Sequence, residues 1–382
     1  TAHQPMCDAV GVGDGREVDG LRGIAVLSVV FGHMGLGVPR GGFVGVDVFF
    51  VISGYLIARN ILAELATGRF SFLRFYERRA RRIIPALFCM LVVCAPIVAV
   101  TYPREPALDN LAIVTAAALS ASNLLIAASP GLDYSAGMLP FLHTWSLGVE
   151  EQFYMLFPLV LFAVFRFRPA ATPAALAAIA VISFTAAVIA TRRYHGSDYF
   201  LPHLRAWELM MGSLVAATEG RLRITRSQGN MFAGLGLVLL LAGIFLLRSR
   251  YANFPGPAAL LPTAGTALVI LCAVEGSAVR RWLGHSSLVG VGLISYSLYL
   301  WHWPVFEIFR QVSGTGFRLG YGWSVALTAL SVALAYLSWR FVERPFRRPP
   351  TLRSSSELTA YVAIPTLGLA AAALSLSGLT VH

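Results

Sequence analysis

The chain has 382 residues, of which 57% are hydrophobic and only 13% are charged. A soluble domain carries about twice that charged fraction, so the composition excludes a soluble globular fold. The net charge is +11, and all thirty basic residues are arginines. These arginines cluster in short segments between apolar runs, as in cytoplasmic loops of membrane proteins, and not as in a nucleic-acid-binding surface. The composition indicates an all-α integral membrane protein with no nucleic-acid partner.

Apolar runs long enough to cross the lipid bilayer recur along the whole chain. A further apolar segment, 109–128, contains several polar residues. The arginine-rich segments 66–82, 166–168, 221–226 and 344–353 can all be cytoplasmic only if 109–128 does not cross. We therefore expect 109–128 to lie outside the membrane on the outer side or to re-enter the membrane from that side. The N-terminus is expected in the cytoplasm and the C-terminus outside. The predicted spans are ten helices and an eleventh, at 20–37, 43–64, 83–102, 144–165, 173–191, 204–219, 231–247, 257–275, 288–309, 322–342 and 358–379.

This topology divides the chain into three segments. We predict a cytoplasmic tail at residues 1–16, a transmembrane domain at 17–348, and a basic cytoplasmic loop followed by the eleventh helix at 349–382. A ten-helix bundle gains little from an additional helix, so we expect the eleventh to tether an outer domain beyond this chain. The alternative is a helix that only supports the bundle. Arginine without lysine is a codon-usage signal typical of high-GC bacteria, and the expected location is the bacterial plasma (inner) membrane.

The ionisable residues inside the predicted spans are the first functional candidates. Arg22 and His33 are eleven residues apart, which returns to nearly the same helical face about 16 Å along the axis. The topology places Asp47, Glu150 and His302 at the depth of His33, in the outer third of the membrane, where ionisable groups are costly and mark function. A carboxylate beside an imidazole is a general-base arrangement, so His33 is predicted to be a base oriented by Glu150 or Asp47. The alternative is that these residues form structural hydrogen bonds between helices.

A second candidate site lies on the cytoplasmic side. Arg79 and Arg82 are three residues apart near the start of the third span and share a helical face. Guanidinium groups bind phosphates through paired hydrogen bonds, and Arg22 lies at the same inner surface. A donor with phosphates at this surface and a reactive end deeper in the bundle fits the pattern, and coenzyme A has that shape. Ordinary anchoring by positive charge is the alternative, and no metal-ligand spacing is present.

Six ordered motifs run through most of the chain, namely DGLRGIAVLSVVFGH, GFVGVDVFFVISGYLI, FYERRARRIIPAL, HTWSLGVEEQFY, SYSLYLWHWP and FVERPFR. From about Arg16 to Arg348 the chain resembles the bacterial acyltransferase-3 family of integral-membrane O-acyltransferases. The resemblance implies ten transmembrane helices and transfer of an acyl group from cytoplasmic acyl-CoA, such as acetyl-CoA or succinyl-CoA. It implies an acceptor hydroxyl on an envelope glycan, a glycolipid or a small secreted molecule, and no permanently bound cofactor.

The resemblance also implies roles for individual residues. Arg22 and His33 match the family's Arg-x10-His motif, Arg79 and Arg82 match its Arg-x-x-Arg element, and Glu150 matches the acid of its WSL-x-x-E segment. Many family members continue through an eleventh helix into an outer SGNH-type domain, which we expect as a partner beyond this sequence. The further candidate site residues are His302, Trp145, Glu151, Arg78 and Ser53.

The sequence therefore predicts a membrane O-acyltransferase in which arginines bind acyl-CoA and His33 activates the acceptor. A transporter or flippase of acyl groups or lipid-linked sugars is the alternative, because buried charges also line transport paths. The sequence has no evident internal repeat with paired broken helices to favour that alternative. A purely structural partner for an outer enzyme is a third interpretation, which the shared layer of ionisable residues disfavours.

Overall fold

A computed structural model describes residues 15–35, 37–129, 139–193, 197–221, 223–248, 253–315 and 319–347. Within these ranges the chain forms helices and no β-strand, which agrees with the predicted all-α class. Short 3₁₀ turns lie at Gly42–Val44, Pro169–Ala171, Ser197–Phe200 and Pro257–Ala259, and a π-helical turn at Trp339–Glu343. The helices, labelled in chain order, are α1 (Arg16–His33), α2 (Gly45–Ala66), α3 (Phe72–Thr101), α4 (Arg104–Ala118), α5 (Ser122–Ala128), α6 (Thr144–Phe167), α7 (Thr172–Arg193), α8 (Pro202–Thr218), α9 (Arg226–Leu246), α10 (Leu260–Cys272), α11 (Ala278–Leu283), α12 (Ser286–Leu293), α13 (Ser295–Ser313), α14 (Tyr321–Ser338) and α15 (Arg344–Phe346).

Six helical segments of the described chain are long and apolar enough to cross a membrane, namely Gly42–Ala66, Phe72–Thr101, Thr144–Phe167, Pro169–Arg192, Arg226–Leu246 and Tyr321–Phe346. The predicted spans at 20–37, 204–219, 257–275 and 288–309 fall on α1, α8, α10 and the α12–α13 pair, which are shorter or more polar. The multi-pass class is thus confirmed, whereas the count of ten plus one stays a prediction. The predicted eleventh span lies outside the described residues.

Helix α3 corrects a predicted boundary. The apolar run suggested a span starting at residue 83, but the helix begins at Phe72 and includes the arginine-rich segment as its first turns. The Ser71 side chain accepts a hydrogen bond from the backbone N–H of Arg74 at 3.5 Å, which caps this end of the helix. The arginines therefore lie on the same regular helix as the apolar residues, which agrees with the predicted shared helical face of Arg79 and Arg82.

Two other predicted segments are interrupted in the structure. Segment 109–128 contains the end of α4 and all of α5, with a turn at 119–121 between them, so no single helix runs through it. The predicted span 288–309 is broken at Ile294, between α12 and α13. A broken helix leaves backbone groups open for other partners, and in membrane proteins it occurs where the chain lines a cavity.

Two glycines allow helices α2 and α8 to pack closely against each other. A Cβ at Gly54 of α2 would lie 1.8 Å from the carbonyl oxygen of Leu209, and one at Gly212 of α8 would lie 1.9 Å from that of Val51. The backbones of α2 and α8 can approach this closely only because both positions lack a side chain. This contact fixes α8 against the helix that carries Asp47.

We expect Gly212→Ala to destabilise the protein, because its methyl group must push α8 away from Val51. Overpacking of this kind costs about 1–3 kcal/mol or more. The control is Gly234→Ala on α9, where an added Cβ has no atom within 4 Å in the described structure. Thermal unfolding in detergent should show a lower Tm for Gly212→Ala and an unchanged or higher one for Gly234→Ala. Equal Tm values would contradict the packing argument.

The C-terminal end of α1 is anchored by two neighbouring helices. Arg310 of α13 donates from Nη2 to the backbone oxygen of His33 at 3.0 Å, and Ser324 of α14 donates from Oγ to that of Met34 at 2.8 Å. The last carbonyls of a helix have no partner within it, so these bonds satisfy them. A cation at this end also interacts favourably with the helix dipole. The backbone that carries His33 is consequently fixed in place.

Candidate functional site

The first cavity in the bundle, here called the arginine cavity, has a volume of about 800 Å³ including its mouth. Its charged lining consists of Arg22 from α1, Arg79 and Arg82 from α3, and Glu150 and Glu151 from α6. Arg22 is only 9% exposed, and its Nη1 lies 3.3 Å from Oδ1 of Asp19. The cavity therefore concentrates guanidinium groups from two helices at one place.

The arginines of α3 face the cavity because a spacing of three residues keeps them on one side of the helix. The Nε atom of Arg79 is buried, and the described residues offer it no hydrogen-bond partner. A buried donor without a partner costs free energy unless a ligand supplies an acceptor. Two converging guanidinium groups bind phosphate oxygens well, because each group presents several donors in a fixed plane.

Glu150 belongs to a hydrogen-bonded network in the arginine cavity. Its Oε1 accepts from the Ser53 hydroxyl at 2.8 Å, and its Oε2 accepts from the Tyr154 hydroxyl at 3.1 Å. Both donors also line this cavity. The structure thus joins the predicted residues Ser53 and Glu150, but it places them with the arginines and not beside His33.

A second cavity of about 440 Å³, here called the histidine chamber, has three imidazoles in its wall. They belong to His33 at the end of α1, His143 just before α6, and His302 of α13. Trp145 and Trp303 complete much of the aromatic lining. In the described chain the three histidines are not arranged as ligands of a metal ion. The chamber offers imidazole bases in apolar surroundings.

Hydrogen bonds assign the proton positions of His33 and His302. Nδ1 of His302 lies 2.7 Å from the backbone oxygen of Tyr299 and 3.2 Å from that of Leu298. A carbonyl can only accept, so Nδ1 of His302 carries the proton and its Nε2 carries a lone pair. Nδ1 of His33 lies 3.3 Å from that Nε2 and donates to it. His33 therefore carries a lone pair on Nε2, the form that a general base requires.

His33 is held by rings as well as by this hydrogen bond. The His33 and His302 rings are stacked with centroids 5.5 Å apart, and the Trp303 ring meets His33 edge-on at 4.5 Å. Trp303 is itself fixed, since its Nε1 donates to the backbone oxygen of Leu139 at 2.8 Å. The orientation of His33 comes from aromatic neighbours and from backbone carbonyls acting through His302.

Asp47 has a different partner from the predicted one. Its Oδ1 accepts from Nη2 of Arg205 at 3.0 Å, and Nη1 of Arg205 lies 3.0 Å from Oε1 of Glu208. All three side chains are fully buried. The guanidinium also lies over the rings of Trp145 and Tyr199, at 5.5 and 5.0 Å. Asp47 is thus part of a buried Arg205 cluster, which corrects the prediction that it orients His33.

Comparison with known proteins identifies the family. The family model for the acyltransferase-3 domain, described as an acyltransferase domain, matches residues 16–340. The chain belongs to the acyltransferase-3 family. Both cavities are built entirely from residues inside the matched range.

Two relatives of this acyltransferase-3 protein are informative. The O-acetyltransferase OatA of Staphylococcus aureus is 30% identical over 352 residues, which cover 87% of this chain and 57% of OatA. A protein of Komagataeibacter xylinus named as the membrane-bound transacylase BcsY is 33% identical over 340 residues, covering 86% of this chain and 82% of BcsY. The chain thus spans little more than half the length of OatA. No solved structure matches the chain.

The remaining predicted site residues of this acyltransferase-3 protein separate into two groups. Glu151 lines the arginine cavity, and Trp145 lines the histidine chamber while also covering Arg205. Arg78 does not join Arg79 in the cavity wall, because it is exposed and its Nη2 donates to Glu64 at 2.7 Å. The sequence predicts one layer that contains His33, Asp47, Glu150 and His302. This prediction is wrong, because Glu150 lines the arginine cavity and, of these four residues, His33 and His302 are the pair in contact.

Sequence reasoning missed two residues of the acyltransferase-3 site. His143 lines the histidine chamber and is 5% exposed, and Tyr299 lines both cavities. Each lies in a motif quoted above, HTWSLGVEEQFY and SYSLYLWHWP. His143 lies just before a predicted span and Tyr299 has an uncharged side chain, so neither is among the ionisable residues inside the predicted spans. Their positions within these motifs were the signal that could have identified them.

If coenzyme A is the donor, as the sequence predicts, replacement of Arg79 by alanine should weaken its binding by about tenfold or more, because charged hydrogen bonds contribute about 1.5–3 kcal/mol. The matched control is Arg74→Ala, since Arg74 is exposed on the same helix and donates to the backbone of Arg69. Calorimetric titration of the detergent-solubilised protein with coenzyme A measures both affinities. Equal affinities for the two variants would contradict a phosphate site at Arg79.

Proposed function

We propose that this protein is a membrane O-acyltransferase. It takes an acyl group from acyl-CoA, such as acetyl-CoA or succinyl-CoA, and transfers it to a hydroxyl of an envelope glycan or glycolipid. One observation carries the proposal: Arg22 and His33 stand about 16 Å apart on a single helix, one lining the arginine cavity and the other the histidine chamber. The relatives named as an O-acetyltransferase and a transacylase support the same class of reaction.

The donor binds with its phosphates at Arg22, Arg79 and Arg82. The long arm of coenzyme A separates the phosphates from the thioester, so the thioester extends toward the histidine chamber. The guanidinium groups hold the anionic end, and the apolar residues that line the arginine cavity surround the arm. This division of roles places binding at one end of α1 and chemistry at the other.

In the reaction His33 acts as the base. Its Nε2 accepts the proton of the acceptor hydroxyl while the hydroxyl oxygen attacks the thioester carbonyl carbon. The new C–O bond forms, the C–S bond breaks, and the proton passes from His33 to the departing sulfur. The products are an ester and coenzyme A as its thiol. His302 keeps the proton of His33 on Nδ1 through the 3.3 Å contact, so that Nε2 presents its lone pair.

Inverted membrane vesicles test the proposal, because they expose the cytoplasmic face to added acyl-CoA. The vesicles are prepared with oligosaccharide fragments of envelope glycan in their lumen and then given acetyl-CoA labelled in the acetyl group. We expect labelled, alkali-labile esters in the lumen together with release of coenzyme A thiol. Right-side-out vesicles should give neither product.

Two outcomes of this experiment would overturn the proposal. A transporter or flippase would carry label into the lumen without thiol release and without ester formation. Vesicles that contain normal amounts of the protein but form no ester above the level of vesicles lacking it would exclude the transferase activity.

A further inference from the structure

The arginine cavity and the histidine chamber share two lining residues, Val46 of α2 and Tyr299 of α13. Both side chains are buried, with exposures of 7% and 6%. A side chain that lines two neighbouring cavities forms the wall between them. Val46 and Tyr299, here called the partition, therefore stand between the guanidinium groups and His33.

Tyr299 of the partition is held in place by residues of both cavities. The Tyr299 hydroxyl lies 2.7 Å from Oγ of Ser146 and donates to the backbone oxygen of His143 at 3.1 Å. Ser146 lines the arginine cavity and His143 lines the histidine chamber. The Phe49 ring meets the Tyr299 ring edge-on, with centroids 6.1 Å apart. The tyrosine ring is thus tied to α6 at the boundary of the two cavities.

We propose that the acyl group reaches His33 by passing between Val46 and Tyr299, and that this partition selects acyl groups by their width. The inference rests on the proposed function, because it assumes a donor held by the arginines and a reaction at His33. A hydrogen-bonded aromatic ring opposite a β-branched side chain is a stiff boundary, since neither has many rotamers. A narrow linear acyl chain fits such a passage better than a chain branched next to the carbonyl.

Two donors test the width of the acyl group separately from its number of atoms. Butyryl-CoA and isobutyryl-CoA carry acyl groups with the same atoms, but only the second is branched beside the carbonyl. We expect the wild-type protein to transfer butyryl groups in strong preference to isobutyryl groups. An apolar site discriminates by about 10-fold to 200-fold per methyl or methylene group, so a preference of about tenfold or more is expected.

The decisive variant is Val46→Ala, which removes two methyl groups from the passage. It should reduce the preference for butyryl over isobutyryl by about tenfold, on the same scale of discrimination. The matched control is Val48→Ala, on the same helix and fully buried but outside both cavity walls. The control should lose as much packing and keep the wild-type preference.

The variant Tyr299→Phe distinguishes a steric role of the Tyr299 ring from a role of its hydroxyl in the reaction. It keeps the ring but removes the hydroxyl that contacts Ser146 and His143. We expect a weaker preference for the linear chain, because the ring is no longer tied to α6. Loss of acetyl transfer in correctly folded protein would show that the hydroxyl takes part in the reaction, which would overturn the steric role.

Inverted vesicles with labelled acetyl-, butyryl- and isobutyryl-CoA give all of these ratios as ester-linked label. If the wild-type protein forms no ester from acetyl-CoA, the proposed function itself fails. If the wild-type protein transfers acetyl groups but Val46→Ala and Val48→Ala have the same butyryl preference, the partition has no role and the proposed function stands. A reduced preference in Val46→Ala alone supports the partition.

Discussion

Replacement of His33 by alanine should lower the rate of acyl transfer by about 10²–10⁴-fold, the usual contribution of a general base. The substitution removes the Nε2 lone pair and also the donor to His302. The fold should survive, because Arg310 bonds the backbone oxygen of His33 and not its side chain. The measurement is ester formation from labelled acetyl-CoA in inverted vesicles that contain equal amounts of protein.

The matched control for this prediction is His203→Ala, which removes an exposed imidazole from α8. The side chain of His203 lines neither cavity, so its loss should leave the transfer rate unchanged. Undiminished transfer by His33→Ala at normal protein levels would show that His33 is not the base. A matching loss in His203→Ala would show that the assay responds to general damage.

The second large effect concerns stability. Arg205→Met should destabilise the protein by about 3–5 kcal/mol, the usual cost of removing one partner from a buried ion pair. The carboxylates of Asp47 and Glu208 would be left in a fully buried site without the guanidinium between them. Trp145 and Tyr199, which cover Arg205, would also lose their cation. Thermal unfolding in detergent should show a markedly lower Tm.

A triple variant checks the electrostatic reason for this loss. Adding Asp47→Asn and Glu208→Gln to Arg205→Met removes both charges that need the cation. We expect this variant to recover part of the lost Tm, because neutral amides cost less to bury than carboxylates. An Arg205→Met variant that unfolds at the wild-type temperature would contradict the buried cluster. A triple variant less stable than the single one would show that packing of the guanidinium dominates.

Much of the architecture could be predicted from local sequence patterns. The spacing of three between Arg79 and Arg82 and of eleven between Arg22 and His33 depends only on helical geometry. Both pairs accordingly line cavities in the structure. Apolar runs likewise indicated the multi-pass helical class, because the bilayer requires it of any spanning chain.

The contacts between distant segments could not be predicted in this way. Asp47 pairs with Arg205, which lies 158 residues further along the chain, and His33 pairs with His302 at a separation of 269 residues. The predicted depth of a residue in the membrane does not show which residues it contacts. Asp47, Glu150 and His302 are all predicted to lie at the depth of His33, but Glu150 lines the arginine cavity, Asp47 pairs with Arg205, and His302 contacts His33.

Hydropathy also did not predict the break at Ile294 or the first residue of α3. The segments on both sides of Ile294 are apolar, so hydropathy does not separate α12 from α13. Hydropathy alone puts the start of α3 too late, because the arginines of its first turns are not apolar. Tertiary packing decides both cases, and it is also what brings Tyr299 to the boundary of the two cavities.

In the proposed reaction the donor binds at the arginines and its acyl group is transferred at His33. Saturation kinetics with labelled acetyl-CoA in inverted vesicles test it most directly, with the Arg79→Ala/Arg82→Ala double variant and His33→Ala measured side by side. We predict a KM higher by about tenfold or more in the double variant, and a kcat lower by about 10²–10⁴-fold in His33→Ala with an unchanged KM. A His33→Ala variant that changes only KM, or a double variant that binds acetyl-CoA as tightly as the wild type, would contradict the account.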